Sequence, residues 1–113
     1  SGTSGMKAAL NGVPQLSIGD GWWPEGYDGQ NGWIFGEETG PADGRGPADA
    51  ENLYRLLAET VIPLYYRVTD SGVPHDWVRV MKAAIKSNAP RFSARRMVKE
   101  YIDKFYSRAL QDT

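Results

Sequence analysis

The 113-residue chain has no cysteine and one histidine. The first absence excludes disulfides, thiol nucleophiles and thiolate metal sites, and the second leaves too few ligands for a histidine-based zinc site. No metal site is expected. Long apolar runs are also missing: nothing approaches the ~20 residues of a membrane span, and no basic start followed by an apolar core reads as a secretory signal. The expected setting is cytoplasmic, without a membrane partner. Length allows one small domain or a piece of a larger one. Glycine is scarce after residue 46, where only Gly72 is found; the other twelve of the 13 glycines precede it.

What is present divides accordingly. Residues 1–46 are rich in glycine and tryptophan, and 47–113 are rich in helix formers. Charge is split as well. Ser1 to Pro74 holds 4 basic and 10 acidic residues, His75 to Thr113 holds 9 basic and 4 acidic, so the net charge of −1 is a sum of −6 and +5. Such a split can mark nucleic-acid or acidic-lipid binding, but helices that bind each other through opposite surfaces would look the same, and the plainer reading is preferred. With no arginine run longer than Arg95-Arg96, nucleic acid is not an expected partner, and Arg91, Arg95 and Arg96 read as a solvated or inter-domain face.

Gly5 to Asn11 reads as a short helix closed by Asn11-Gly12. Val13 to Ile18 and Trp33-Ile34-Phe35 read as short strands, the first placed at an edge or weakened by Pro14. Between them, Gly19 to Gly32 is too rich in turn residues for regular structure and too aromatic for a passive linker, so an ordered loop is expected. A helix over 47–66 opens on Pro-Ala-Asp-Ala-Glu, carries Leu53, Leu56, Leu57, Thr60, Val61 and Leu64 on one face, and is bent or ended by Pro63. A second, over 74–87, sets Trp77, Val78, Met81, Ala84 and Ile85 at helical spacing. Ser93 is the expected N-cap of a last helix to about Leu110, with a buried stripe of Met97, Val98, Tyr101, Ile102 and Phe105.

The densest chemistry lies in Ser1-Gly2-Thr3-Ser4-Gly5-Met6-Lys7. Small residues and hydroxyls lead into a helix, where free N–H groups and the positive end of the helix dipole attract phosphate. Lys7, in the first turn, offers charge or an amine nucleophile. The spacing is not that of a Walker loop. An expression linker would share the Ser-Gly-Thr-Ser-Gly composition, and the helix that follows favours an anion cradle. Trp22, Trp23, Tyr27 and Trp33 pose a different class of function, an aromatic platform for sugar in a carbohydrate-binding or protein-interaction module, against the plainer reading that they pack a small core. Glu25, Asp28, Glu37 and Glu38 read as solvated loop acids, and His75 as a surface or capping residue at a helix start.

Gly2-Thr3-Ser4-Gly5-Met6-Lys7-Ala8-Ala9-Leu10-Asn11-Gly12 resembles the pyridoxal-phosphate lysine segment of the α-glucan phosphorylases, the glycogen, starch and maltodextrin phosphorylase family. The likeness continues through Leu16 to Trp33, Tyr65-Tyr66-Arg67, Gly72 to Trp77 and Ala89 to Tyr101, nearly the whole chain in order. Ser4-Gly5 before Met-Lys and the pair Trp22-Trp23 resemble the shorter bacterial and archaeal branch, which argues against the phosphorylation and AMP control of animal enzymes. The resemblance implies an α/β fold: the C-terminal part of a Rossmann-like domain in a two-domain, GT-B type glycosyltransferase, mostly helical here with about two short strands. Residues 1–46 would form the cofactor-lysine segment and 47–113 the closing helices, both within one domain of a larger enzyme. Lys7 is then the Schiff-base lysine for pyridoxal 5'-phosphate, with Gly2, Thr3 and Ser4 on the cofactor phosphate and Ser1 and Gly2 facing the glucosyl unit. In such an enzyme the cofactor's phosphate is the working group, and a terminal glucosyl unit of an α-1,4-glucan passes to orthophosphate with retention, giving glucose 1-phosphate. No catalytic side chain beyond that phosphate is implied. As a fragment, the chain is expected to lack phosphorolysis alone, to be marginal, and to expose apolar helix faces that the remaining domains, or a copy of itself, would cover.

Overall fold

The computed structural model describes residues 2–36 and 45–112, Arg45 by its backbone only. Seven α-helical segments, two π-helical segments and two strands are found among the described residues, so the described chain is mostly helical with a small sheet. Helix α1 is Thr3–Leu10, starting two residues earlier than the sequence suggests. Asn11 closes it as expected: its N–H reaches the Ala8 carbonyl, its side-chain amide donates to the Lys7 carbonyl at 2.8 Å, and Gly12 adopts φ +80°.

Strands β1 (Gln15–Ile18) and β2 (Gly32–Phe35) pair in parallel, with Gln15 opposite Gly32 and Ile18 opposite Phe35. Pro14 stands just before β1, where its missing N–H costs no ladder bond. The intervening segment is ordered, as its composition suggests, but one helical turn, α2 (Trp23–Gly26), corrects the expectation of no regular structure there. Pro24 sits at its first turn, where a fixed φ favours the helix and no N–H is needed.

Helix α3 (Arg45–Leu56) runs through a widened π segment, Leu57–Val61, into α4 (Ile62–Tyr66). Pro63 has no N–H to donate back to Glu59, and the helix widens rather than ends. Leu53, Leu56, Leu57, Val61 and Leu64 are half-buried as their spacing predicts, while Thr60 is exposed. Helix α5 (His75–Asn88) packs against α1 and α4 and buries Ala84. The last helix comprises α6 (Ala94–Tyr101), a π segment Ile102–Tyr106 that no residue in the stretch accounts for, and α7 (Ser107–Gln111). Ser93 caps it, its Oγ accepting the Arg96 N–H at 3.2 Å.

The core is small and aromatic. Ala9, Trp22 and Trp23 are buried, with Met6, Tyr27, Ile34 and Phe92 packed around them. The expected buried stripe of the last helix is instead exposed: Met97, Val98, Tyr101, Ile102 and Phe105 are 46–60% accessible and Leu110 77%. Among the described residues nothing large enough lies over that face. The dimensions agree, since the radius of gyration is 18.1 Å where a compact chain of this length has about 13 Å. The accessible surface is 8184 Å² against roughly 6,200 Å² for a compact monomer of this mass.

Candidate functional site at the start of the first helix

Helix α1 begins on an unusual residue. Gly2 is its N-cap with φ +80° and ψ 28°, left-handed, and no side chain caps the helix. The first intrahelical bond runs from the Met6 N–H to the Gly2 carbonyl at 3.2 Å. That leaves the N–H groups of Thr3, Ser4 and Gly5 without helical acceptors, at the end where the helix dipole is positive. Gly2, Thr3 and Ser4 are exposed, so amides and two hydroxyls are presented together.

Close packing behind this turn fixes both glycines. A Cβ on Gly2 would stand 2.5 Å from Trp22 Cδ1, and one on Gly5 would stand 2.9 Å from Gln15 Oε1 and 3.1 Å from Trp22 Nε1. Backbone therefore approaches the indole as nearly as backbone can. The other side of the same ring meets Gly26, where a Cβ would lie 2.5 Å from Trp22 Cζ3. Phe92 abuts the ring edge-on, centroids 5.2 Å apart.

Lys7 follows one turn after Thr3, so the two share a helix face. They border an open cleft of about 570 Å³ between α1 and the start of α6, whose apolar walls include Met6, Phe92, Met97 and Tyr101. This volume lies within the range of small-molecule sites. Ser4 is not among its lining residues. Among the described residues, the other cations of the cleft are engaged. Arg91 donates to the Glu25 carbonyl at 2.7 Å with its guanidinium 5.6 Å from the Phe92 ring, and Arg96 Nε donates to Glu100 at 2.7 Å. Glu100 also accepts from Lys104, and these two bonds, that of Lys104 first, hold its carboxyl below the ordinary carboxylate range. Lys7 has no carboxylate partner among the described residues.

The structure thus brings Gly2, Thr3, Ser4 and Lys7 to one helix start, while Ser1, Glu37 and Glu38 lie outside the described residues. It corrects the aromatic platform. Trp22 and Trp23 are 6% and 1% exposed, Trp23 Nε1 donates to the Trp33 carbonyl at 2.9 Å, Tyr27 packs on Trp23, and Trp33 stacks on Trp77. In a region with few aliphatic residues the indoles supply the core, and no open row of rings remains for a sugar. His75 is exposed at the start of α5. Two functions of the loop escaped sequence reasoning: Asn31, fully buried, donates to the Gly26 carbonyl and Ser87 Oγ, and Arg91 ties α2 to the loop before α6. No metal-ligating cluster is found among the described residues, and none of their helices is long and apolar enough to cross a membrane.

Comparison with known proteins extends this picture across the chain. It is 57% identical over 111 residues to a glycogen phosphorylase of Aquifex aeolicus, covering 98% of this chain and 16% of that protein. It is 55% identical over 112 residues to a maltodextrin phosphorylase of Thermococcus litoralis, and 46% identical to a glycogen phosphorylase of Mycobacterium tuberculosis, covering 97% of this chain and 13% of each. The chain therefore spans 13–16% of the length of the curated relatives it matches. No protein-family model matches it. No solved structure matches it either.

Proposed function

We propose that this chain, which by sequence is a segment of the glycogen and maltodextrin phosphorylases, carries the cofactor lysine of a pyridoxal-phosphate-dependent α-glucan phosphorylase. The whole enzyme would pass a terminal glucosyl unit of an α-1,4-glucan to orthophosphate in the cytoplasm. Residues 1–46 and 47–113 would belong to one Rossmann-like domain of a two-domain, GT-B type enzyme, the first contributing the cofactor segment and the second the closing helices. A parallel pair of strands joined by a short crossover is compatible with the edge of such a sheet.

The observation that carries the reading is the helix start itself: three amides without helical acceptors, two hydroxyls, and an amine one turn away. These donors fit a phosphorylated aldehyde. The amides of Thr3, Ser4 and Gly5 and the hydroxyls of Thr3 and Ser4 would hold its dianionic phosphate, in a place where the dipole favours negative charge. Gly2, left-handed and without room for a side chain against Trp22, holds the start of that turn close to the indole. Lys7 would hold the aldehyde carbon covalently, as an anchor rather than an acid or base. When bound, the cofactor supplies a phosphate able to exchange a proton with orthophosphate. Ser1 and Gly2 would face the glucosyl unit, and no carboxylate of this chain is needed for the chemistry.

The chain alone should be inactive, because the bulk of the relatives' length is outside it. The apolar face of the last helix, from Met97 to Leu110, would be covered by the remaining domains or, in their absence, by another copy. A titration of the 113-residue chain with pyridoxal phosphate, followed by absorbance, tests the cofactor reading. A saturable change in the wild-type chain that is lost in Lys7→Ala supports it, and identical spectra for the two proteins refute it.

A further inference from the structure

We propose that Trp22 is a positioning residue for the phosphate cradle, an indole wedge that sets where the amides of Thr3, Ser4 and Gly5 stand. The inference rests on the cofactor reading above and concerns a residue that makes none of the expected cofactor contacts. Three glycines leave room for this ring. At the pyrrole end Gly2 and Gly5 bring the first turn of α1 against Cδ1 and Nε1, and at the benzene end Gly26 brings the backbone of α2 against Cζ3. Phe92 closes an edge and Trp23 tilts against it at 5.2 Å. The ring is 6% exposed, so its position is fixed by contacts on several sides.

A short helix with no side-chain cap needs such a support. Gly2 is left-handed and Gly5 is the third residue of the helix, so side chains of their own do little to fix the turn that presents the donors, and packing must do it. Fixed donors bind an anion better than mobile ones because the ordering cost is met on folding rather than on binding. Smaller side chains in place of Trp22 would leave space beneath Gly2 and Gly5, and the donors would lose their common aim. Trp23, equally large and more buried, contacts β2 through Gly32 and the Trp33 carbonyl instead. It serves as a graded comparison: it packs on Trp22 but not on Gly2 or Gly5, so its loss reaches the cradle only at one remove.

The test compares pyridoxal phosphate with pyridoxal, which has the aldehyde and no phosphate, as ligands of the full 113-residue chain, with Trp22→Phe, Trp22→Leu and Trp23→Phe. Apparent affinities at Lys7 are read from absorbance titrations, with circular dichroism confirming helix content. The wild-type chain should prefer the phosphorylated form. In Trp22→Leu that preference should fall about tenfold, the equivalent of one charge-assisted hydrogen bond, with Trp22→Phe between, while Trp23→Phe, which reaches the cradle only through Trp22, should lower it by less than Trp22→Leu. A preference unchanged in both Trp22 variants, or lowered equally by Trp23→Phe, overturns the role assigned to Trp22 and leaves the cofactor reading standing. No preference in the wild-type chain overturns both.

Discussion

Substituting glycines by alanine separates packing from backbone conformation in this chain. Beyond its chain neighbours, a Cβ at Gly46 would meet no heavy atom within 4 Å, and the residue lies in the first turn of α3, just before Pro47, without a positive φ. Gly46→Ala should therefore be nearly neutral, a gain of about 0.5–1 kcal/mol from helix propensity and a less flexible unfolded state being offset by the contact of the new Cβ with the proline ring. Gly29 also has open space around it but sits at φ +89°. Its alanine variant meets only the left-handed penalty of about 1–2 kcal/mol, partly offset in the unfolded chain. Gly2 combines φ +80° with Trp22 Cδ1 at 2.5 Å from the added Cβ, and the ring cannot swing aside because Gly26 and Phe92 hold its other sides. Overpacking adds about 1–3 kcal/mol, so Gly2→Ala should cost about 2–5 kcal/mol before the same partial offset in the unfolded chain. Urea titrations followed by circular dichroism give the three values by linear extrapolation. Wild type and Gly46→Ala should lie close together, with Gly29→Ala below them and Gly2→Ala lowest. If Gly2→Ala matches Gly29→Ala, the indole does not press on the helix start and the packing argument fails.

Asn31→Ala removes a buried side chain that donates to Gly26 and Ser87 and accepts the Asp28 N–H; a loss of about 2–4 kcal/mol is expected, chiefly from the Gly26 carbonyl and the Asp28 N–H that lose this partner, and a urea midpoint equal to wild type would contradict it. Phe105→Ser, at 60% exposure, should leave the midpoint nearly unchanged while weakening any concentration-dependent association seen by sedimentation; a large loss of stability instead would mean that this face is packed within the chain. Lys104 and Arg96 hold the Glu100 carboxyl below the ordinary carboxylate range. Depression in the folded state means that its contribution is fully present above the unfolded pKa and fades as pH falls through the lower folded one. Helix content near the C-terminus should therefore decline at acid pH in the wild type and lose that dependence in Glu100→Gln, as followed by residue-resolved NMR.

Much of this fold was legible in short-range pattern. Asn11-Gly12, Pro14, Pro63 and Ser93 each act through a local backbone requirement, and each stands where that requirement places it. The helix start was legible for the same reason, since amides and a lysine within seven residues need no distant partner to be recognised. What the pattern could not supply was the identity of the neighbours. Met97, Val98, Tyr101, Ile102 and Phe105 have the spacing of a buried face, but burial depends on an opposing surface, and the described residues offer none of sufficient size. The tryptophans illustrate the converse. Aromatic rings near glycines suit either a sugar or a core, and only the long-range approach of Gly2, Gly5 and Phe92 decides for packing. The tie from Asn31 to Ser87 could not be read because its ends are 56 residues apart, and Arg91, read as part of a solvated or inter-domain face, instead bonds within the chain to Glu25, 66 residues away.

Locating the cofactor on the chain tests the central claim most directly. Pyridoxal phosphate is added to the 113-residue chain, the adduct is reduced with borohydride, and the modified peptide is identified by mass, with Lys7→Ala alongside. Modification confined to Lys7, and absent from the variant, is the predicted result. Modification spread over Lys82, Lys86, Lys99 and Lys104 as readily as over Lys7 would contradict it, because the helix start would then confer no selectivity on its amine.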